Sequence, residues 1–266
     1  MDQVLANLQV TDAASYTVVA STSFGSATSA PPAILTVAQG EAAEQWSTAT
    51  LPSGLIAWWQ ADGDMLDSAG IHHAGGSAAP GYGTGRFGQA FQFNGTDQSV
   101  AIPDVHADLD NWTEFTLEAW VNLYLTSDGS GGRAIFSKVG NVNDRVNFNQ
   151  GYQLVVYDNA SKIWLSFNPS GQPWAGTSIS TTASLAAPLA IHTWYHLVAT
   201  YDHNAVKIYL NGVLLVSNVI GPVNLQNSGS ALRISKDDNL NGAFAGRIDD
   251  ARIYNRALSA SEVTYI

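Results

Sequence analysis

Residues Gly85–Pro103, GRFGQAFQFNGTDQSVAIP, carry the reading of the fold. Phe91 and Phe93 alternate with Gln92, as on a strand that buries one face. Asn94-Gly95-Thr96-Asp97 then supplies the residues of a tight turn. Val100 and Ile102 resume the alternation, and Pro103 stops it. Two short alternating runs around an Asn-Gly step predict a β-hairpin.

The same period of two recurs outward from this stretch. Leu55–Trp59, Gln89–Asn94, Ser99–Ile102, Phe115–Leu123, Ala134–Lys138 and Tyr152–Tyr157 read as strands, and Lys162–Phe167, Tyr195–Tyr201, Val206–Leu210, Val213–Val216, Leu232–Ser235 and Gly246–Asn255 follow. In Phe115–Leu123, one face takes Phe115, Leu117, Ala119, Val121 and Leu123, and the other takes Thr116, Glu118, Trp120 and Asn122. Asp158-Asn159-Ala160-Ser161 and Asn211-Gly212 read as hairpin turns. Short alternating strands without a long helical period predict an all-β, antiparallel two-sheet β-sandwich. One short helix is expected at the C-terminal end. Ser259 caps it, Glu262 completes a capping box, and Leu258 with Val263 forms a hydrophobic staple.

Composition agrees. Hydrophobic residues are 45% of the 266, enough for a sizeable core, while charged residues are only 12%, against about 25% in typical domains. The net charge of −11, with few basic residues clustered, offers no footprint for nucleic acid or an anionic membrane. Cysteine is absent, which removes disulfides, thiol catalysis and Cys-based zinc sites together. No run approaches the roughly 18 apolar residues of a membrane helix, so no membrane insertion is expected. MDQVLANLQV lacks a basic n-region and an apolar h-region, so it does not read as a signal peptide.

Residues 38–53, AQGEAAEQWSTATLPS, are polar, small and without alternation, and read as a linker. They separate residues 1–37 from the strands of 54–266. In the first segment, Asp12 and Tyr16 precede the alternating run Thr17–Ala20, and Ile34–Val37 closes it. This resembles the last two strands of an immunoglobulin-like domain, with the Tyr of a tyrosine corner; Ala14 stands where Gly is usual, and no Cys follows. Residues 1–37 are therefore expected to be the C-terminal fragment of such a domain.

Residues 54–266 resemble the laminin-G-like, concanavalin A-like jellyroll modules of bacterial extracellular proteins. Four blocks in order carry the resemblance. They are Gly54–Trp59 with Ala61–Asp64 and Asp67-Ser68; Gly88–Phe91 with Asn94-Gly95; Phe115–Val121 with Thr193–Val198 and Tyr209–Gly212; and Gly246–Asp250 with Arg252–Leu258. Asn94 and Asp250 depart mildly from the usual Asp and Glu. The resemblance implies a jellyroll sandwich whose first and last strands lie side by side.

It also implies a place for a structural Ca²⁺. Asp62, Asp64 and Asp67 crowd a Gly-containing turn after the first strand, and Asp249 lies on the last long strand, so the four carboxylates are the candidate oxygen ligands. The same residues also suit Asx turns. A glycan surface needs exposed aromatics for sugar CH faces. Trp174, in the Gly- and Pro-containing loop Asn168–Thr177, is one candidate, with Trp164, Tyr157 and Tyr124 at polar-facing or strand-end positions. Trp58, Trp59, Trp120 and Trp194 read as core.

Catalysis finds no footing in the sequence. Laminarinase-type hydrolases of this architecture need two paired carboxylates. Glu114 and Glu118 have no Asp between them, and Asp249-Asp250, being adjacent, read as pointing to opposite faces. No His-Glu-x-x-His, no Gly-x-Ser-x-Gly and no strand–Gly-rich–helix phosphate loop occurs. Asn94, Asn111 and Asn159 open glycosylation triplets, for which a bacterial-type module has little use. The expectation is a non-catalytic binding or adhesion module of a secreted or cell-surface protein, taking a polysaccharide, a glycoconjugate or a surface protein. A hydrolase or lyase on the same fold, or a plain spacer, are the alternatives.

Overall fold

The computed structural model describes residues 14–17, 19–22, 25–29, 33–35, 51–76, 78–106, 108–109, 111–125, 132–139, 151–170, 178–226, 228–236 and 243–266. The chain divides into two compact units, Met1–Gln45 and Trp46–Ile266. In the first, β1 (Ala14–Tyr16), β2 (Val19–Thr22), β3 (Gly25–Thr28) and β4 (Ala33–Leu35) form two antiparallel pairs, β1 with β4 and β2 with β3. Asp12, and the expected linker up to residue 50, lie outside the described residues.

The second unit runs β5 (Leu55–Trp59), β6 (Gly81–Thr84), β7 (Gln89–Asn94), β8 (Val100–Ile102), β9 (Phe115–Leu123), β10 (Gly132–Ser137), β11 (Tyr152–Tyr157), β12 (Lys162–Phe167), β13 (Ile179–Ser184), β14 (Trp194–Tyr201), β15 (Ala205–Leu210), β16 (Val213–Val219), β17 (Leu232–Ile234) and β18 (Ala245–Tyr254), then α1 (Ala260–Tyr265). Six strands form one antiparallel sheet, ordered β13-β12-β11-β10-β17-β8. Eight form the other, ordered β16-β15-β14-β9-β18-β7-β6, with β5 also on β18. The inward residues of both sheets make one core. Phe91, Leu117, Leu197 and Ile248 come from the eight-stranded sheet, and Val100, Phe136, Leu154 and Ile234 from the six-stranded one. Each such side chain contributes about 1.5–3 kcal/mol by leaving water. Among the described residues, no helix is long and apolar enough to cross a membrane.

The stretch that decided the reading is a sandwich corner, not a hairpin. β7 pairs with β6 and β18, whereas β8 pairs with β17 in the other sheet. The Asn94–Gln98 turn therefore carries the chain between layers. Asn94 Oδ1 accepts the Thr96 and Asp97 N–H groups, and Gly95 has φ +77 with the Ala245 methyl pressed against its α-carbon side. Phe91 and Phe93 face the core from one sheet, Val100 and Ile102 from the other. Alternation reports which side chains turn inward; it carries no information about which strand lies alongside.

Two strands have no counterpart in the sequence reading, β6 (GYGT) and β13 (ISTTAS). Both are edge strands with few apolar side chains, so their pairing rests on backbone hydrogen bonds to one neighbour. The Asn211-Gly212 turn between β15 and β16 has φ +50 and +76, the two positive angles a type I′ turn requires. Helix α1 has the Ser259–Glu262 capping box, and Leu258 and Val263 share a small apolar cluster with Tyr254, Val198 and Tyr209 on the outer face of the eight-stranded sheet.

Candidate functional site

Strand β18 organises the polar side of the eight-stranded sheet. One of its edges is shared. Ala245–Ile248 pair with β7 and Ala251–Tyr254 with β5, so the first and last strands of the sandwich lie side by side, and Asp249 and Asp250 stand at the junction. Along the other edge, Asp249 is opposite Trp120 and Arg252 is opposite Glu118, three steps against two. The extra residue is a β-bulge, with Asp250 at φ +50.

The bulge overturns the expectation that Asp249 and Asp250 point to opposite faces. Asp250 Oδ1 accepts the Trp58 indole N–H at 2.6 Å and lies 3.2 Å from Arg252 Nη2. Asp249 Oδ2 accepts the N–H groups of Arg86 (2.7 Å) and Phe87 (3.0 Å), and both of those side chains lie against Trp120. Burial, and then the neighbouring Asp250 charge, push the Asp249 carboxyl up to about 8. Beside them Glu118 Oε1 meets Arg252 Nη1 at 2.7 Å and His196 Nε2 at 3.0 Å. Burial raises the Glu118 carboxyl, but Arg252 and His196 outweigh it and hold the group below its ordinary range. Trp58, Glu118, His196, Asp249, Asp250 and Arg252 are all buried. They form a polar layer that ties β5, β9, β14 and β18 together.

The four acidic residues expected to gather around a cation are engaged separately. Asp67 is buried; its Oδ1 accepts from the Trp58 and Ala69 amides and its Oδ2 from the His72 amide, with His72 Nδ1 at 3.2 Å. Burial works against its charge, yet His72 and the three amides leave its pKa below the usual value. Asp64 caps the Leu66 amide in an Asx turn. Asp62 accepts from Gln89 N–H, and Asp249 from Arg86 and Phe87. These carboxylates thus hold backbone amides, and among the described residues no three His, Cys, Asp or Glu side chains are grouped to hold a metal ion.

Asp62 and Asp249 instead clamp the Gly85–Gln89 turn from its two ends. This is why glycines occupy it. A Cβ on Gly85 would stand 2.5 Å from both Asp249 Oδ2 and the Gln89 carbonyl, against rigid backbone; on Gly88 it would enter the Asp62 carboxylate. Gly85→Ala is expected to cost about 2 kcal/mol through this crowding. Urea unfolding reads it, and a cost below about 0.5 kcal/mol would contradict the clamp.

The candidate aromatics separate into two places. Tyr157 and Trp164 share the outer face of the six-stranded sheet, with ring centroids 6.2 Å apart and edge-on, and the Lys162 ammonium is 5.7 Å from the Tyr157 ring. Register puts Gln153, Ser166 and Thr182 on the same face, and a small cavity of about 90 Å³ opens beside Trp164 and is lined by Gln153, Ser166 and Asn168. Tyr124 is elsewhere, at the end of β9 in the other sheet, between Arg247 (5.6 Å) and His192 (5.2 Å). Trp174 lies outside the described residues. Of the four tryptophans read as core, only Trp59 joins the main cluster. Trp58 is buried within the polar layer, and Trp120 and Trp194 are half-buried on its outer side. Their positions on polar-alternating faces held that signal.

A laminin-G family profile, described as "Concanavalin A-like lectin/glucanases superfamily", matches residues 94–264. The chain belongs to this superfamily. Its laminin-G-like sandwich is similar to domain 4 of AbnA, a GH43 extracellular arabinanase from Geobacillus stearothermophilus, solved with arabinotriose. The identity is 21%, covering 79% of this chain and 97% of that one, with a TM-score of 0.54. It is also similar to the ligand-binding domain of botulinum neurotoxin serotype D, solved with N-acetylneuraminic acid (14% identical, 82% and 51% covered, TM-score 0.59). Among curated proteins, the adhesion G-protein coupled receptor V1 of Danio rerio is 24% identical over 194 residues. That match covers 72% of this chain and 3% of the receptor.

Proposed function

We propose that the laminin-G-like unit is a non-catalytic carbohydrate-recognition module of a secreted or cell-surface protein. It would take a polysaccharide or glycoconjugate on the outer face of the six-stranded sheet. The observation that carries this reading is the Tyr157–Trp164 pair. Two aromatic rings stand half-exposed on a sheet face that also carries hydroxyls, an amide and an ammonium around the buried Val155. Such a face offers a ring for sugar CH groups and donors and acceptors for hydroxyls, with few groups to desolvate. The arabinotriose and N-acetylneuraminic acid complexes of the similar folds support it. Burial of Glu118, Asp249 and Asp250 in the polar layer supports the absence of hydrolysis, since a glycosidase carboxylate must reach the glycosidic oxygen. In the same reading, the first unit is the remnant of an immunoglobulin-like domain from a tandem array.

A glycan array probed with the intact chain, in calcium and in chelator, tests the proposal. Binding of at least one polysaccharide class is expected, with no release of reducing ends. Trp164→Ala should weaken it at least tenfold while the melting curve stays cooperative. Unchanged binding by that variant would move the site elsewhere, and hydrolysis would defeat the non-catalytic reading.

A further inference from the structure

A second cavity, of about 500 Å³, opens on the outer face of the eight-stranded sheet and takes no part in the function proposed above. Its floor is Trp120 and His196 from adjacent strands β9 and β14, stacked with centroids 4.9 Å apart and planes 21° from parallel. The clamped Gly85–Gln89 turn presents Arg86 there, its guanidinium 4.9 Å from the Trp120 ring and 5.1 Å from Phe87. Trp194, Asn211 and Thr264 complete the wall.

The charge of this cavity's side chains runs against that of the molecule. The chain carries 22 acidic and 11 basic residues, yet the lining has an arginine and no acidic side chain. His196 already spends Nε2 on Glu118. Asp249 holds the Arg86 amide, not its guanidinium. Among the described residues the guanidinium has no ion pair or hydrogen bond, so its planar fork of N–H donors is left to offer. Asn211 Oδ1 accepts the His196 N–H at 2.9 Å, which leaves its Nδ2 as a donor. Trp194 has no ring partner among the described residues.

We propose that this cavity binds a sugar residue bearing a carboxylate, of the uronic or sialic acid kind. Arg86 takes the carboxylate in a two-point contact, Trp194 meets a CH face of the ring, and the Asn211 amide donates to a hydroxyl. The volume accommodates one or two pyranose rings. A guanidinium resting on an indole is partly desolvated and fixed in orientation, which favours a planar anion over a point charge. The aromatic wall favours a ring with apolar CH groups over a bare inorganic anion.

The test is calorimetric titration of the intact chain with four probes: an oligogalacturonate, its methyl ester, sialyllactose and lactose. One of the two acidic probes should bind. If it is the oligogalacturonate, the ester should bind at least tenfold more weakly; if sialyllactose, lactose should. Raising salt from 50 to 500 mM should weaken binding severalfold. Arg86→Gln should lose at least tenfold with an unchanged melting midpoint, and Arg86→Lys should recover only part. Trp164→Ala, on the opposite sheet, should leave this binding intact. Equal binding of acid and neutral forms, no binding of either acidic probe by the folded chain, or full affinity in Arg86→Gln would each overturn the proposal. So would competition for the cavity by a peptide C-terminal carboxylate but by neither acidic sugar.

Discussion

Replacing Arg252 with Met should destabilise the second unit by about 3–5 kcal/mol at neutral pH, the range for breaking a buried ion pair from one side. Arg252 is 1% exposed and lies between two buried carboxylates, with Nη1 2.7 Å from Glu118 and Nη2 3.2 Å from Asp250. Its guanidinium also covers the Trp58 ring at 4.8 Å. The methionine keeps much of that packing but leaves two acids with no neighbouring guanidinium, each of which must protonate or remain charged at high cost. Urea denaturation at pH 7 measures the loss. The double variant Arg252→Met with Glu118→Leu should recover part of it, because one of the unpaired carboxylates is gone. A loss below about 1 kcal/mol for the single variant would mean that the layer is hydrated and the charges are screened.

Stability should fall as pH rises from about 4 to about 8, the reverse of a protein held by ionised carboxylates. Asp249 titrates near 3.8 when exposed and at about 8 when folded. Between those values the folded chain holds a proton that the unfolded chain releases. The contribution is therefore complete below the unfolded pKa and is lost as pH climbs through the folded one, at up to about 1.4 kcal/mol per unit. Asp250 is raised by burial, and His72 is raised because Asp67 and Asp108 outweigh its burial; both act in the same direction. Asp67 and Glu118, whose pKa values are lowered, act oppositely, but only as pH drops below the ordinary carboxylate range. Urea midpoints at pH 5 and pH 8 should therefore differ by a few kcal/mol in unfolding free energy, pH 5 being the more stable. Asp249→Asn keeps an acceptor for the Arg86 and Phe87 amides and should flatten most of that slope. A chain equally stable at both values would show that Asp249 is ionised when folded.

The Gly85–Pro103 stretch marks what the sequence by itself determined. Its alternation identifies Phe91, Phe93, Val100 and Ile102 as inward, and all four are buried. The same logic recovers the long strands, the Asn211-Gly212 turn and the Ser259–Glu262 cap, because each is a local pattern with a local physical cause. Tyr157 and Trp164 could be placed on one face from their spacing to the shared turn. The two edge strands β6 and β13 could not be seen, because pairing on one side leaves little apolar imprint.

Only the tertiary structure decided the partners. It sends β7 and β8 to different sheets, since an inward face is compatible with either layer. It turns Asp249 and Asp250 to one side through a bulge that no period-two count anticipates. It gives Asp62, Asp67 and Asp249 to backbone amides, because carboxylate spacing along a chain does not reveal which donors will be orphaned nearby. It also brings Arg86, Trp120, Trp194 and His196 around one cavity from three separate segments. Side-chain direction is set within a strand, whereas a site is set by which strands meet, and that is fixed by the packing of the whole sandwich.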